Sequence, residues 1–349
     1  MKKLIKALGT EFEQNGCDLV IIDTKFRAGK PIMLNSKDLD IAILNAEPEA
    51  LDSITIDDKQ EEPESGVIIK AFNKSGYPTE VEVKNQTELP ASLFRKDQSP
   101  FLGAIESIKI PKEVTNIPDY FAYKQPLKNF TFHEGLERIG ESAFSYSNLE
   151  KVILPSTLTY IGYSCFAYNK KLKEVTIPEG LDLGGMYLFQ YSEELEKVNL
   201  PANFNGSFGA ACFKNTKVNM KTVPDGTQKI QGDAFYGTPI TQMSVLNAWV
   251  SSSKSSFNGA FYSCPNLVAL WLGNVTSLDK NLYQHSNTFK KLFINQPRAT
   301  VETFTGWANG FQPAGNSASL AQPKVICNDD PEWITKEEFD AIDWATYTE

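Results

Sequence analysis

Histidine and cysteine are the usual zinc ligands of structural sites, and histidine is the usual base beside a serine or cysteine nucleophile; this sequence spaces both residue types widely. It has two histidines, His133 and His285, and five cysteines, at positions 17, 165, 212, 264 and 327, without a C-x-x-C pair. The spacing therefore predicts neither a zinc site nor a nucleophile paired with histidine. We expect Cys165, Cys212 and Cys264 to fill the core as small apolar side chains.

Carboxylates are the other common catalytic groups, and a glycosidase needs two of them at a defined separation. The chain has 43 Asp and Glu residues, and no spacing singles out a pair. The G-x-x-x-x-G-K-[ST] and G-x-G-x-x-G phosphate loops are absent from the sequence. We therefore predict no catalytic residue, no bound metal and no cofactor, and a carbohydrate-active enzyme is the least favoured function.

The elements that would position any functional side chain are internal repeats. An aromatic residue returns at spacings of 23, 22, 23, 24, 22, 26 and 22 residues, namely at Phe121, Phe144, Phe166, Phe189, Phe213, Phe235, Phe261 and Tyr283. A period of 20 to 29 residues indicates a solenoid, in which each repeat buries its apolar face against its neighbours. We count about eight repeats, with an earlier degenerate copy at residues 81–94.

Most repeats also contain a short triplet of alternating apolar and polar residues, as in Val175–Ile177 and Val198–Leu200. Such alternation predicts one short β-strand per repeat, and the following proline ends the strand. The first and third residues of the triplet should point inward. The middle residues should form one outward column: Lys109, Thr131, Ile153, Thr176, Asn199, Asn219, Ser244, Trp271 and Phe293.

The segments Leu136–Phe144, Leu158–Phe166 and Ala260–Leu267 resemble BspA-like leucine-rich repeats, a bacterial surface-antigen type that also occurs in adhesins. The resemblance covers about two thirds of the chain and implies a leucine-rich-repeat solenoid of mostly short parallel β-strands with turns and few helices. It indicates the type of repeat and not the ligand. Residues 204–220 and 251–256 depart from the pattern, so these repeats should bulge or curve differently.

The predicted domains follow from where the repeat begins and ends. Residues 1–64 should form a small separate N-terminal α+β domain for anchoring or assembly, which ends in an acidic linker. This domain would contain an amphipathic helix near Leu4–Phe12 and short strands at Leu19–Ile22, Ile32–Leu34, Leu39–Leu44 and Ile54–Ile56. Residues 65–295 hold the repeats. Residues 296–349 form a C-terminal capping unit, in which Thr335 and Glu338 match a capping box at the start of a helix.

The outward column is the predicted binding surface, because polar groups beside exposed aromatics are typical of protein and glycan contacts. The candidate residues are Thr131, Lys151, Thr176, Lys197, Asn199, Trp271, Lys291 and Phe293. An alternative interpretation is that Trp271 and Phe293 only meet the C-terminal cap. A second surface feature, a ladder of Tyr123, Tyr146, Tyr168 and Tyr191, is predicted to be structural packing rather than a binding site.

The distribution of charge limits the kinds of partner that the protein is expected to bind. Residues 1–64 hold 8 basic and 14 acidic side chains, residues 328–349 hold 1 and 8, and the remaining residues hold 25 and 21. Acidic ends flanking a nearly neutral repeat region argue against nucleic-acid binding. No run approaches 18 apolar residues, which argues against membrane insertion. We expect a protein or glycan ligand on a cell surface and a larger assembly contacted through residues 1–64, and homo-oligomerisation is left open.

The start of the chain lacks the pattern of a Sec signal peptide, since Glu11 and Glu13 interrupt the apolar stretch. This favours a non-enzymatic interaction protein of a phage virion, such as a fibre, spike or decoration protein, located on the virion or outside the cell. The alternative is a BspA-like adhesin on the bacterial cell surface or secreted by a route other than Sec.

Overall fold

The computed structural model describes residues 32–35, 40–43, 66–73, 78–96, 103–250, 259–273, 275, 282–283, 285–304 and 323–347. The chain divides into two compact units. Unit 1 comprises Met1–Glu150 and Pro155–Leu158, and unit 2 comprises Lys151–Leu154 and Thr159–Glu349. The predicted N-terminal helix and the predicted strands at 19–22 and 54–56 lie outside the described residues, and the proposed boundary at residue 64 stays a prediction.

Unit 1 contains eight described strands, which are β1 (Ile32–Asn35), β2 (Asp40–Ile43), β3 (Gly66–Phe72), β4 (Pro78–Lys84), β5 (Ser107–Lys109), β6 (Asn116–Ile117), β7 (Asn129–Phe130) and β8 (Arg138–Ile139). One sheet has the order β1-β2-β3-β4-β5-β7. Parallel pairing of β4 with β5 places Val81 opposite Ile108, which confirms the degenerate early repeat. β6 and β8 pair in parallel on the second side of the repeats.

Unit 2 contains ten described strands and two short helices, which are β9 (Lys151–Ile153), β10 (Tyr160–Ile161), β11 (Glu174–Thr176), β12 (Lys197–Asn199), β13 (Lys229–Ile230), β14 (Gln242–Val245), β15 (Trp249–Val250), β16 (Ala269–Leu272), β17 (Lys291–Ile294), α1 (Arg298–Val301), β18 (Lys324–Cys327) and α2 (Lys336–Ala341). The sheets β9-β11-β12 and β14-β16-β17-β18 are entirely parallel. The predicted solenoid of short parallel strands is confirmed.

The register of the strands follows the predicted triplets. Val175 lies opposite Val152 on one side and opposite Val198 on the other. Val152 and Val175 are buried, whereas the outward Ile153 is 55% exposed. Alternation within each strand therefore sends one residue to the core and the next to the surface.

The repeated aromatic residues stack inside each unit as predicted. In unit 1, the rings of Phe94 and Phe144 contact Phe121 edge to face, with centroid distances of 5.2 and 6.1 Å. In unit 2, consecutive rings stack at centroid distances of 5.6 to 5.8 Å along the series Phe166, Phe189, Phe213, Phe235 and Phe261. All these rings are fully buried, so the core of each unit is a column of phenylalanines.

Buried polar side chains satisfy the carbonyls beside this column. The hydroxyls of Ser192 and Ser286 donate to the carbonyls of Phe166 and Phe261, each at 3.0 Å. The Cys264 thiol takes the equivalent place and donates to the Phe235 carbonyl at 3.1 Å. Cys165, Cys212 and Cys264 are buried thiols, which confirms their predicted role in the core.

Gly140, which follows the buried Ile139, stands where two neighbouring repeats approach each other closely. A Cβ atom on Gly140 would lie 2.5 Å from the backbone nitrogen of Asp119 and 2.6 Å from the carbonyl carbon of Pro118. No real Cβ makes contacts this short with backbone atoms. Glycine is needed here because neighbouring repeats approach too closely for a side chain.

The strand ladder of unit 2 is interrupted after β12. The predicted strand at 218–220 does not form, and Thr222 rather than Asn219 pairs with Ser244. The alignment predicted for this repeat is therefore wrong by three residues, because the ordinary repeat spacing of 23 residues from Asn199 and 22 to Ser244 falls on Thr222. Val198 and Leu200 are only half-buried, unlike the equivalent residues of the two preceding repeats.

The predicted C-terminal cap is present. Thr335 and Glu338 form the reciprocal capping box at the start of α2, with the Glu338 amide donating to Thr335 Oγ1 at 3.2 Å and the Thr335 amide donating to Glu338 Oε2 at 2.8 Å. Phe339 and Trp344 then pack against strands β16 to β18. The resulting cluster contains Ala269, Trp271, Phe293, Ile326, Phe339 and Trp344.

Candidate functional site

Three neighbouring strands of unit 2 present an uncovered outer surface. Each of β9, β11 and β12 sends its first and third residues outward, because its middle valine faces the core. We define the open strand face as these six outward side chains: Lys151, Ile153, Glu174, Thr176, Lys197 and Asn199.

Glu174 is the centre of the open strand face. Its carboxylate lies 3.2 Å from the ammonium of Lys151 and 2.9 Å from that of Lys197. The Asn199 amide donates to the same carboxylate at 2.7 Å and approaches the Thr176 hydroxyl at 3.1 Å. Five of the six side chains therefore form one network, whose mutual contacts restrict their rotamers. Ile153 is the exposed apolar member.

This network lowers the pKa of Glu174 to about 2, chiefly through the hydrogen bond from Lys197 and then through those from Asn199 and Lys151. The charged carboxylate is thus favoured in the folded protein. Any stability that it contributes is present above the ordinary glutamate pKa and is lost as the pH falls through about 2.

We expect a carboxyl-carbon NMR titration of the folded protein to show Glu174 ionising at a pH of about 2. In Lys197→Gln the pKa of Glu174 should rise towards its ordinary value, because the largest cause of the shift is removed. Lys170→Gln is the matched control, since Lys170 pairs with Glu193 instead. An unchanged pKa in Lys197→Gln would contradict the network.

Trp271 and Phe293 do not belong to an exposed surface, so their prediction as binding residues is wrong. Each is 2% exposed, and Ser244 on the neighbouring strand is fully buried. The reason is the C-terminal cap, since Trp271 Nε1 donates to the Ile334 carbonyl at 3.1 Å and the Phe293 ring contacts Trp344 at 5.8 Å. The alternative interpretation, that these aromatics meet the cap, is confirmed.

Lys291 is also held by the cap. Its ammonium donates to the Tyr347 hydroxyl at 2.7 Å and lies 5.0 Å from the centre of the Tyr347 ring. Thr131 is exposed as predicted, and it lies in unit 1. Of the eight predicted residues, the structure therefore brings together Lys151, Thr176, Lys197 and Asn199.

Sequence reasoning missed Glu174 and Ile153 as members of the site. Ile153 stands in the predicted outward column but is apolar, so the polar pattern did not select it. Glu174 occupies the position of Lys151 and Lys197 in its own repeat, and this alternation of charge along one column was the available signal.

Three of the buried thiols, Cys212, Cys264 and Cys327, lack the lowered pKa of a nucleophilic cysteine. Burial raises the pKa of Cys264 to about 12 and the pKa of Cys327 to about 11, and it also raises the pKa of Cys212. Reactive cysteines instead have a lowered pKa. Within the described residues, no group of three or more His, Cys, Asp or Glu residues could hold a metal ion.

A cleft at the C-terminal end is lined by Arg298, Lys324, Asp330 and Glu332 among others. Its charges are already paired, Arg298 with Asp330 and Lys324 with Glu332. It therefore offers little for a charged ligand. In the part of the chain that the structure describes, no helix has the length and apolar character needed to cross a lipid bilayer.

Repeats of this period, each with a short parallel strand and a buried phenylalanine, define a leucine-rich-repeat solenoid. The chain belongs to the family of BspA type leucine-rich repeat proteins, because six copies of that repeat region match residues 101–218 and 206–306. The resemblance noted in the sequence is thereby confirmed.

Three solved structures are similar to the chain. A leucine-rich repeat protein from Bacteroides ovatus shares 17% identity at a TM-score of 0.45, over 86% of this chain and 90% of that one. A leucine rich cell surface protein from Faecalibacterium prausnitzii shares 13% at a TM-score of 0.30, over 88% and 96%. The pneumococcal vaccine antigen PcpA shares 15% at a TM-score of 0.27, over 82% and 98%. No curated protein matches the chain at a significant level.

Proposed function

We propose that the protein is a non-enzymatic recognition protein whose open strand face binds a protein or a glycan on a bacterial surface. The observation that carries this proposal is the combination of a fixed polar network around Glu174 with the exposed Ile153. A preorganised polar surface loses little side-chain entropy on binding, and an exposed apolar side chain at its edge gains from burial. The BspA-type repeat implies the bacterial surface setting.

The electrostatics of the open strand face also support binding over catalysis. A glycosidase needs one carboxylic acid with a raised pKa to protonate the leaving group. Glu174 has the opposite shift, because three donors stabilise its charged form. A carboxylate held in this way suits a structural role within a binding surface.

The open strand face would be displayed on a larger structure. Residues 1–64, with 14 acidic and 8 basic side chains, would attach the repeats to a larger assembly, which we propose is a phage particle. The rival is display on the bacterial cell surface. Immunogold labelling of purified particles and of whole cells separates the two, since label confined to cell envelopes would refute the virion role.

We expect Ile153→Asp to reduce binding of the fluorescently labelled chain to whole bacteria about tenfold or more, measured by flow cytometry. The substitution removes an apolar contact and places an unpaired charge in the interface. Because Ile153 is 55% exposed, the thermal melt should stay nearly unchanged.

Lys229→Gln is the control, because Lys229 is an exposed residue of β13 outside the open strand face. Treating the bacteria with protease or with periodate shows whether the target is a protein or a glycan. Undiminished binding by Ile153→Asp, or an equal loss with Lys229→Gln, would refute the proposed surface.

A further inference from the structure

We propose that the turn side of the repeats in unit 1 carries a second binding site, for an acidic polysaccharide. The site is a cation–tyrosine ladder, which we define as Arg95, Tyr120, Tyr123, Lys124 and Tyr146. It shares no residue with the open strand face and goes beyond the function proposed above. Its ligand would be a chain of sugar rings that carry carboxylate or sulfate groups.

The backbone fixes the ladder. Tyr120, Lys124 and Tyr146 adopt positive φ angles of 56°, 62° and 62°, in the turns that contain Phe121 and Phe144. Hydrogen bonds join these turns from one repeat to the next, from the Lys96 amide to the Tyr123 carbonyl and from the Lys124 amide to the Ser145 carbonyl, each at 3.0 Å. The side chains are thus displayed from a rigid support.

Cations and rings alternate along the ladder. The Arg95 guanidinium carbon lies 4.8 Å from the Tyr120 ring centre and 5.2 Å from that of Tyr123. The Lys124 ammonium follows, at 4.9 Å from the Tyr123 ring centre and 5.9 Å from that of Tyr146. These distances lie within the range of cation–π contacts, which orient the side chains of both cations.

Charge indicates where an anion would bind. The acidic groups of this side lie towards Tyr120, because Tyr120 donates to Glu141 at 2.9 Å and Asp119 accepts from the Glu141 amide at 2.7 Å. At the other end, Lys124 is exposed and has no ion pair among the described residues. An anionic group is therefore best placed beside Lys124 and Tyr146.

The turn side of unit 2 provides an internal comparison. There Lys214 pairs with Asp233 at 2.9 Å and Lys170 pairs with Glu193 at 3.0 Å. The repeat thus readily accommodates a neutralising acid near a turn lysine, and unit 1 has none at Lys124. Structural packing explains a tyrosine ladder, but it does not require an unneutralised lysine between two rings.

The chemistry of these groups matches an acidic sugar chain. The ammonium of Lys124 would bind a carboxylate or sulfate, and the 42% exposed ring of Tyr146 would contact the apolar C–H face of a sugar ring. A neutral glycan would use only the ring contact. The proposed site should therefore discriminate by charge and weaken as salt screens the ion pair.

The test is fluorescence polarisation of labelled polygalacturonate oligosaccharides with the full chain, with dextran oligosaccharides as the neutral probe. We expect binding of the acidic probe, about tenfold weaker in Lys124→Gln and similarly reduced in Tyr146→Ala, with unchanged thermal melts. Lys170→Gln is the matched control and should bind normally, as should Ile153→Asp from the open strand face.

Three results would overturn the site: no binding of polygalacturonate, equal binding of dextran, or an equal loss in Lys170→Gln. Because Ile153→Asp is included, loss of bacterial binding and loss of polysaccharide binding can be assigned to separate surfaces.

Discussion

Phe213→Ala should lower the free energy of unfolding by about 3 to 5 kcal/mol. The Phe213 ring is fully buried and contacts Phe189 at 5.7 Å, Phe208 at 5.7 Å and Phe235 at 5.6 Å. Truncation would leave a cavity between neighbouring repeats. Since stability in a solenoid depends on the interfaces between adjacent repeats, the loss should also reduce cooperativity. Urea unfolding followed by circular dichroism measures both effects.

Tyr163→Ala is the control for this prediction. Tyr163 is 50% exposed in the same unit, so its truncation should change the free energy of unfolding by about 0.5 kcal/mol or less. If the two variants unfolded at the same urea concentration, the column of phenylalanines would not be the source of stability.

Trp344→Ala should also lower the free energy of unfolding by about 3 to 5 kcal/mol, because it removes the centre of the C-terminal cap. Trp344 is 2% exposed, donates from Nε1 to the Phe339 carbonyl at 3.1 Å and contacts Phe293 at 5.8 Å. Its loss would uncover Trp271 and Phe293. We therefore expect increased binding of the dye ANS together with a lower melting temperature.

Trp249→Ala is the matched control, because Trp249 is 49% exposed on β15. It should leave both the melting temperature and dye binding close to those of the unchanged protein. A Trp344→Ala variant that melted normally would show that the cap does not protect the strand face beneath it.

The sequence predicted the core well because the core repeats. The 22 to 26 residue spacing of the aromatic anchors identifies which rings stack, and the triplets identify which residues face inward. Val175 lies opposite Val152 and Val198 as the alignment predicts. The alternation within each triplet and the repeat period were sufficient to predict the core, because each internal repeat packs between two similar repeats.

The sequence could not distinguish the part of the strand face that the cap covers from the part that stays exposed. Thr176 and Trp271 occupy equivalent outward positions, and alternation predicts that direction for both. What differs is that residues 333–347 return over the last strands, a contact between segments distant in the sequence. The register at Thr222 was missed because the apolar residues at 218 and 220 imitate the triplet three residues before the position that the repeat spacing requires.

The central claim is that the open strand face recognises a bacterial surface. The most direct test is a triple exchange of charge, Lys151→Glu, Glu174→Lys and Lys197→Glu, which preserves both ion pairs and inverts their sign. Flow cytometry with whole bacteria should show that this variant, although its thermal melt is retained, loses binding. Full binding by the folded variant would contradict the claim.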